Sequence, residues 1–345
     1  MPDGALTQVN AGAAHYGDPA VEFAALESGV GVTDRSHVGR LRLRGADVLD
    51  LLDRLTTNKL ETLEPGEGMP SVLTTSKGRV VDLLTLTAAD DYLLCLTSPG
   101  RQEAVVEWID FYTFAEDVTV EDASADTAQL SLAGPGAATL LEGLGVDVSG
   151  LPTFHSRAYA LSNADVLVWH TLSVGTPTYE IIVPVAAATG VWEALTQAGA
   201  VPTGYQAREA YRVQHGMPVH AAEFGDDTNP LESRLKGAIS FNKGCYIGQE
   251  VVARLNTYQK VQRRLMAVTF SGNAQIGDAL KSTDGVAAGV VTSVAQVPGG
   301  GTLIGLALVR QEHAAPDATL LVADRDTTAT LSEPAFALAT EPVEA

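Results

Sequence analysis

Ile239-Ser240-Phe241-Asn242-Lys243-Gly244-Cys245-Tyr246-Ile247-Gly248-Gln249-Glu250 sets one of the chain's two cysteines between Gly244 and Tyr246, two residues after a lysine. Glycines on both sides of a thiol allow tight turning and close backbone approach, because Gly tolerates φ > 0 without Cβ strain. A nearby cation favours the thiolate, which is the reactive form of cysteine. Downstream, the run Gln249-Glu250-Val251-Val252-Ala253-Arg254 reads as ordered structure, so the cysteine sits on a loop anchored at its C-terminal end. Loops on rigid scaffolds carry much of protein function. Two readings stand side by side: a reactive, accessible thiol, or a turn enclosing an inert buried cysteine.

At 345 residues the chain is long enough for two or three packed units. A hydrophobic content of 46% is that of a globular protein. No apolar run approaches the length that spans a bilayer, so no membrane partner is expected. Met1 to Asp18 has neither a basic start nor an apolar stretch. Cys95 and Cys245 make no disulfide framework and no metal-binding pair, and a reducing cytoplasm is the expected compartment. The net charge of −20, from 22 basic and 42 acidic residues, suits a host cytoplasm of very high salt, as in an extreme halophile. It argues against nucleic-acid binding over most of the surface, which needs clustered Lys and Arg.

Along the chain, Leu41 to Gly45 alternates as a strand, and apolar residues at Val48, Leu49, Leu51, Leu52 and Leu55 recur at helical spacing. Ser71 to Ser98 reads as a β-meander with turns at Ser76-Lys77-Gly78 and Ala89-Asp90-Asp91, which places Cys95 in an apolar strand as inert core. Arg101 to Phe114 is expected to be helical, then strands at 118–120 and 129–132, a helix at 137–144, strands at 166–169 and 179–183, and a helix at 187–198. This points to two α+β layers with helices packed on antiparallel sheets. Gly204 to His215 is a helix closed by Gly216, with Pro218 beyond it. From Leu265 onward, short strands separated by Gly and Asp turns suggest a small β-barrel.

Asp82 interrupts an apolar strand, so its carboxylate must face solvent, a cleft or a partner. Arg208 and Arg212 lie at i, i+4 on one helical face and read equally as surface cations. Arg254, Lys260, Arg263 and Arg264 form the most positive segment of an acidic chain, fit either for an anion or for pairing with neighbouring carboxylates.

Lys243 to Glu250 as a block resembles the signature of YgfZ-type folate-binding proteins, relatives of the T-protein (aminomethyltransferase) of the glycine cleavage system. Three further segments resemble that superfamily: Asp34-Arg35-Ser36-His37, Ala207 to Pro218, and Asn229 to Leu235. The resemblance implies an α+β, T-protein-like fold around a central opening. It divides the chain into a folate-binding region of two α+β subdomains (1–260), a C-terminal β-barrel (261–335) and an acidic tail (336–345). It implies tetrahydrofolate, with or without a polyglutamate tail, as cofactor. It assigns cofactor contacts to Asp82, Arg212, Gln214, Lys243, Tyr246 and Arg254, catalytic character to Cys245 and Asp82, and no metal.

Two positions depart from the T-protein pattern. Leu83 stands where the second acid of an acidic pair would be, and Gln214 where a pterin-binding Glu would be. His37 is either a ligand contact or a hydrogen-bonded structural histidine. The functional expectation is a tetrahydrofolate-binding accessory protein that assembles or maintains iron–sulfur enzymes, with an influence on tRNA modification. Its partners would be the assembly proteins or their clients. The alternatives are a folate-dependent aminomethyltransferase or demethylase using Asp82, and a binding module without turnover.

Overall fold

A computed structural model describes residues 12–171, 176–336 and 338. Helix α1 (Pro19–Ser28) and strand β1 (Gly31–Asp34) come first. The next five strands make one antiparallel sheet: β2 (Arg40–Arg44), β3 (Gly68–Thr74), β4 (Val80–Ala88), β5 (Leu93–Leu96) and β6 (Thr119–Asp122). Their order is β3-β4-β5-β2-β6. Helices α2 (Val48–Leu55) and α3 (Gln102–Tyr112) cover one face of it.

A second sheet collects β1 with β7 (Thr127–Ala133), β8 (Ser156–Leu161), β9 (Ala164–Thr171), β10 (Thr178–Pro184) and β11 (Val201–Pro202). Its order is β11-β1-β7-β10-β9-β8, antiparallel except where β1 meets β11. Helices α4 (Ala137–Gly143) and α5 (Ala188–Gln197) pack on its outer face. After α6 (Tyr205–His215) and α7 (Gln249–Thr257), six strands close a barrel: β12 (Arg263–Phe270), β13 (Ala279–Lys281), β14 (Ala287–Gln296), β15 (Leu303–Arg310), β16 (Thr319–Val322) and β17 (Thr328–Ser332). This is the mixed α+β architecture that the sequence suggests.

The period-2 alternation of strands divides the side chains between two environments. In β10, Tyr179, Ile181 and Val183 join Leu130, Leu132, Leu141 and Leu195 in the core under α4 and α5. Ile182 instead meets Val38, Leu94, Leu96 and Trp169, where the two sheets face each other. Glu180 shares that inward face. The space between the sheets is where a ligand cavity forms.

Helix α6 joins the parts. Ala207, Ala210 and Tyr211 pack on Phe23 and Leu26 of α1, while Val213 packs on Leu265, Leu306 and Leu308 of the barrel. Gly216 ends it in the left-handed region at φ +75°, which only a residue without Cβ adopts cheaply.

Helix α1 and strands β1, β8, β11, β13 and β17 are absent from the sequence reading. The start of α1 carries a signal nonetheless: Asp18 accepts the Ala20 N–H, and Pro19 occupies the first turn, where its missing N–H is harmless. The start of the segment expected to be an acidic tail (336–345) is packed into the protein. Phe336 and Leu338 are buried with Val72, Phe154, Phe224 and Leu235, and a Cβ on Gly237 would lie 1.3 Å from the Leu338 carbonyl oxygen. Burial of two large apolar side chains pins this part of the chain; 337 and 339–345 lie outside the described residues. Among the described residues no helix is long and apolar enough to cross a membrane.

Candidate functional site

A cavity of about 240 Å³ lies between the two sheets, roofed by α6 and the segment after it. Leu83, Leu96, Phe154, Met217 and Phe224 form apolar walls, and Arg35, Ser131, Glu180, Arg208 and Arg212 bring polar groups. Ligand pockets commonly enclose roughly 300–1,000 Å³. This one is smaller and takes a bicyclic ring more readily than a whole drug-sized molecule.

The polar end is built by register. Glu180 of β10 pairs directly with Ser131 of β7, whose hydroxyl donates to Glu180 Oε1 at 3.0 Å. Gln129 Nε2 donates to Oε2 at 2.7 Å. Arg35, just past β1, is tethered by its N–H to the Gln129 carbonyl and places Nη1 2.9 Å from Oε1. Burial alone would raise the Glu180 carboxyl, but Arg35, Arg208 and the Gln129 and Ser131 hydrogen bonds outweigh it and hold it below the usual range. Glu180 is therefore a buried anion at neutral pH and has no proton to give. Arg208 is pulled down to about 9, first by burial and then by Arg35.

Asp82 is fully buried, yet it is not part of the cavity wall. Its two oxygens accept the Leu83 and Ser98 backbone N–H groups, each at 2.9 Å. Burial raises its pKa to about 6 against the pull of those hydrogen bonds. Leu83 and Ser98, its two partners, do line the cavity. The carboxylate thus shapes the wall from behind, and the side chain presented to a ligand is Leu83.

The cysteine turn forms a separate group against α2 and β3. Lys243 Nζ donates to the carbonyls of Asp53, Thr56 and Asn58 and stands 3.1 Å from Asp53 Oδ1. Burial lowers its pKa although Asp53 opposes the shift. Lys243 Nζ lies 5.6 Å from the Tyr246 ring centre, and Tyr246 is itself buried, its hydroxyl pushed up to about 12 by burial. Thr74 donates to the Ile247 carbonyl, and Gly248 starts α7 at φ +87°. Cys245 is exposed on the outside of this knot. The lysine expected to activate the thiol is instead spent on α2's C-terminal carbonyls. Neither Cys245, Lys243 nor Tyr246 lines the cavity.

Comparison with known proteins then places the chain. Residues 15–243 match the family described as the GCVT N-terminal domain, and residues 262–337 match the CAF17 C-terminal beta-barrel domain. The chain belongs to the YgfZ type of the T-protein superfamily. An aminomethyltransferase of Chlorobium chlorochromatii is 30% identical over 89% of this chain and 86% of that protein. One from Koribacter versatilis is 31% identical over 88% and 83% respectively. The crystal structure of the glycine cleavage system aminomethyltransferase T of Bartonella henselae superposes with a TM-score of 0.82 at 20% identity, covering 92% of this chain and 89% of that one.

Within this T-protein-like frame, Arg212 alone of the expected contact residues lines the cavity. Its guanidinium is already held by Glu209, by Glu223 at 3.3 Å and by Ser293 at 2.7 Å, which ties α6 to the barrel. Gln214 points outward, is exposed, and donates to Glu27 at 3.0 Å. Two residues after Arg212, the 3.6-residue repeat turns it away from the cavity. Arg254 is exposed near the end of α7. In the basic segment, Arg263 pairs with Glu232 and Arg264 with Glu333, whereas Lys260 stands over the Tyr258 ring. His37 lies outside the cavity and is lowered to about 4, first by burial and then by Arg35, so it is neutral.

The cavity residues that the sequence did not single out are Arg35, Ser131, Glu180 and His220, with Gln129 supporting Glu180 from outside the lining. Glu180 carried the same signal as Asp82, a carboxylate inside an apolar strand (Tyr179-Glu180-Ile181-Ile182-Val183). Only the structure reveals which of the two faces a void.

Proposed function

We propose that the cavity binds the pteridine ring of tetrahydrofolate and that the chain acts as an accessory protein to iron–sulfur enzymes, without transferring an aminomethyl group. One observation carries this reading: the cavity wall offers Leu83, and the neighbouring acid, Asp82, is spent on two backbone N–H groups behind it. Glu180, the carboxylate that does reach the cavity, is held ionised by its partners. Proton transfer at a folate nitrogen or carbon needs a group whose pKa lies near the working pH and whose atoms reach the ligand.

The residues present suit the ring. Its faces are met by Leu83, Phe154 and Phe224, and its polar edge by the donors and acceptors around Ser131 and Glu180. Bound tetrahydrofolate supplies one-carbon carrier chemistry. This chain's side chains enclose and orient it. The cavity volume favours the ring over the whole cofactor, and the exposed cations Arg254 and Lys260 are proposed to meet a polyglutamate tail.

The accessory role draws on Cys245, exposed and free, as a redox-responsive thiol or transient ligand; a lone cysteine cannot hold a cluster by itself. Any influence on tRNA modification would follow from the clients. Two free cysteines suit a reducing cytoplasm, and the charge of −20 suits a salty one.

The test measures tetrahydrofolate binding by calorimetry alongside glycine-cleavage turnover with a lipoyl partner. Binding without turnover, together with loss of iron–sulfur enzyme rescue in Cys245→Ala, supports the accessory reading. Turnover that survives Cys245→Ala but is lost in Asp82→Asn replaces it with the transferase.

A further inference from the structure

We propose that the Arg208 end of the cavity holds a carboxylate group of the ligand. The inference rests on the cavity being the ligand site, as proposed above, and concerns the charge that ligand must carry.

The pairing at this end is uneven. Arg35 and Arg208 both feel Glu180, and Arg208 also feels Glu209, but Arg35 takes the contact with Glu180 and Arg212 takes the contact with Glu209. Arg35 takes Glu180 Oε1, while Gln129 and Ser131 fill the rest of that carboxylate's near positions. The Arg208 side chain has no hydrogen bond or ion pair among the described residues, although it is partly buried and lines the cavity. Arg35 Nε is likewise buried without a partner among the described residues.

One helical turn further along α6, Arg212 shows how a guanidinium is satisfied here: Glu209 takes it from one side, Glu223 from the other, and Ser293 closes the set. A buried charge left without its counter-ion is strongly unfavourable. Glu180 and Glu209 both act on Arg208, yet neither makes an ion pair with it among the described residues, which leaves its fork open to an anion from outside.

The class of anion is set by the same groups. A phosphate dianion would face both Glu180 and Glu209, so the smaller charge of a monoanion suits this end better. A planar guanidinium fork binds a carboxylate through two parallel N–H···O bonds. Two sources supply that chemistry: a glutamate carboxylate of the folate tail folded back beside the ring, or a small free carboxylic acid bound at the cavity's polar end.

The experiment uses the full chain in low-chloride buffer, with calorimetry and thermal melting against three probes. These are tetrahydrofolate, 6-methyltetrahydropterin (the ring without a carboxylate), and propionate. Each is run with the wild type, Arg208→Leu, Arg208→Lys and Arg35→Met. Expected is a loss of about tenfold or more in affinity for one carboxylate probe in Arg208→Leu, partly restored in Arg208→Lys, with 6-methyltetrahydropterin unaffected. Loss confined to tetrahydrofolate identifies the tail, and loss confined to propionate identifies a free acid. Should Arg208→Leu fail to fold, Arg35→Met carries the test: it leaves Glu180 without its contact cation, frees Arg208 to turn to Glu180, and must weaken the same probe.

Carboxylate binding that is absent, or indifferent to both arginines, overturns the inference. Failure of 6-methyltetrahydropterin and tetrahydrofolate alike, with propionate still dependent on Arg208, overturns the folate reading and leaves this one standing.

Discussion

The Asp82 carboxylate accepts the Ser98 N–H at 2.9 Å through one oxygen, and through the other it accepts the Leu83 N–H of its own strand. Both partners are cavity-lining residues, so an acid buried behind the wall fixes the wall's shape. This explains why a carboxylate persists in an apolar strand without touching a ligand. Its cost is visible in the pKa, raised by burial from 3.8 to about 6.

That shift predicts a pH signature. A carboxyl with a raised folded pKa holds its proton more firmly in the native state, so its contribution to stability is greatest below about pH 4. It is lost as pH rises to about 6, and it is flat above that. A shift of roughly two units corresponds to about 3 kcal/mol. Urea unfolding of the wild type and Asp82→Asn is compared at about pH 4 and about pH 6.5. The wild type should lose stability relative to the variant by that order as pH rises. Parallel pH profiles would remove the assignment.

Lys243 gives a second prediction. Its ammonium is buried and satisfied by three carbonyls and Asp53. Replacing it by Met leaves Asp53 without its cation and the carbonyls unpaired, a loss of about 3–5 kcal/mol in unfolding free energy. The alkylation rate of Cys245 should change little. A variant of near-normal stability with a markedly slower thiol would instead return the lysine to the activating role that its place in sequence suggests.

Much of this fold is written in local pattern. The meander from β3 to β5, the amphipathic α2 and the Gly216-terminated α6 are all set by periodicity and caps within a few residues of each other. The cavity is not local. Arg35, Ser131, Glu180 and Arg208 come from the end of β1, β7, β10 and α6, and only strand register brings them together. Lys243 misled for the opposite reason. Two residues from a thiol in sequence, its side chain runs inward to α2, a contact separated by 190 residues from Lys243 to Asp53.

The two cysteines should separate cleanly by reagent. Cys95 has no exposed surface, and burial, then Asp82, push its thiol well above the ordinary range. Cys245 is exposed. An aromatic disulfide reagent at neutral pH should titrate one thiol in the native protein and the second only on unfolding. Cys245→Ala should abolish the native reaction and change stability by no more than about 0.5 kcal/mol, the usual range for exposed positions. Two fast thiols, or none, would contradict this arrangement and take the chemical basis from the accessory reading.

The charge of −20 predicts a dependence on salt that is separate from the site. Screening shortens the reach of charge from about 10 Å at 0.1 M salt to about 3 Å at 1 M, which removes most of the self-repulsion between exposed carboxylates. Several ion pairs on the surface, such as Arg54 with Asp50 and Arg44 with Glu121, are weakened by the same screening. With 20 more acidic than basic residues, repulsion is the larger effect, so the melting temperature should rise by several degrees between about 0.1 M and about 2 M KCl. Equal rises in KCl and NaCl identify screening, whereas a rise in only one identifies a bound cation. A flat or falling profile would mean that attraction and repulsion already balance at low salt, and the salty-cytoplasm reading of the composition would be withdrawn.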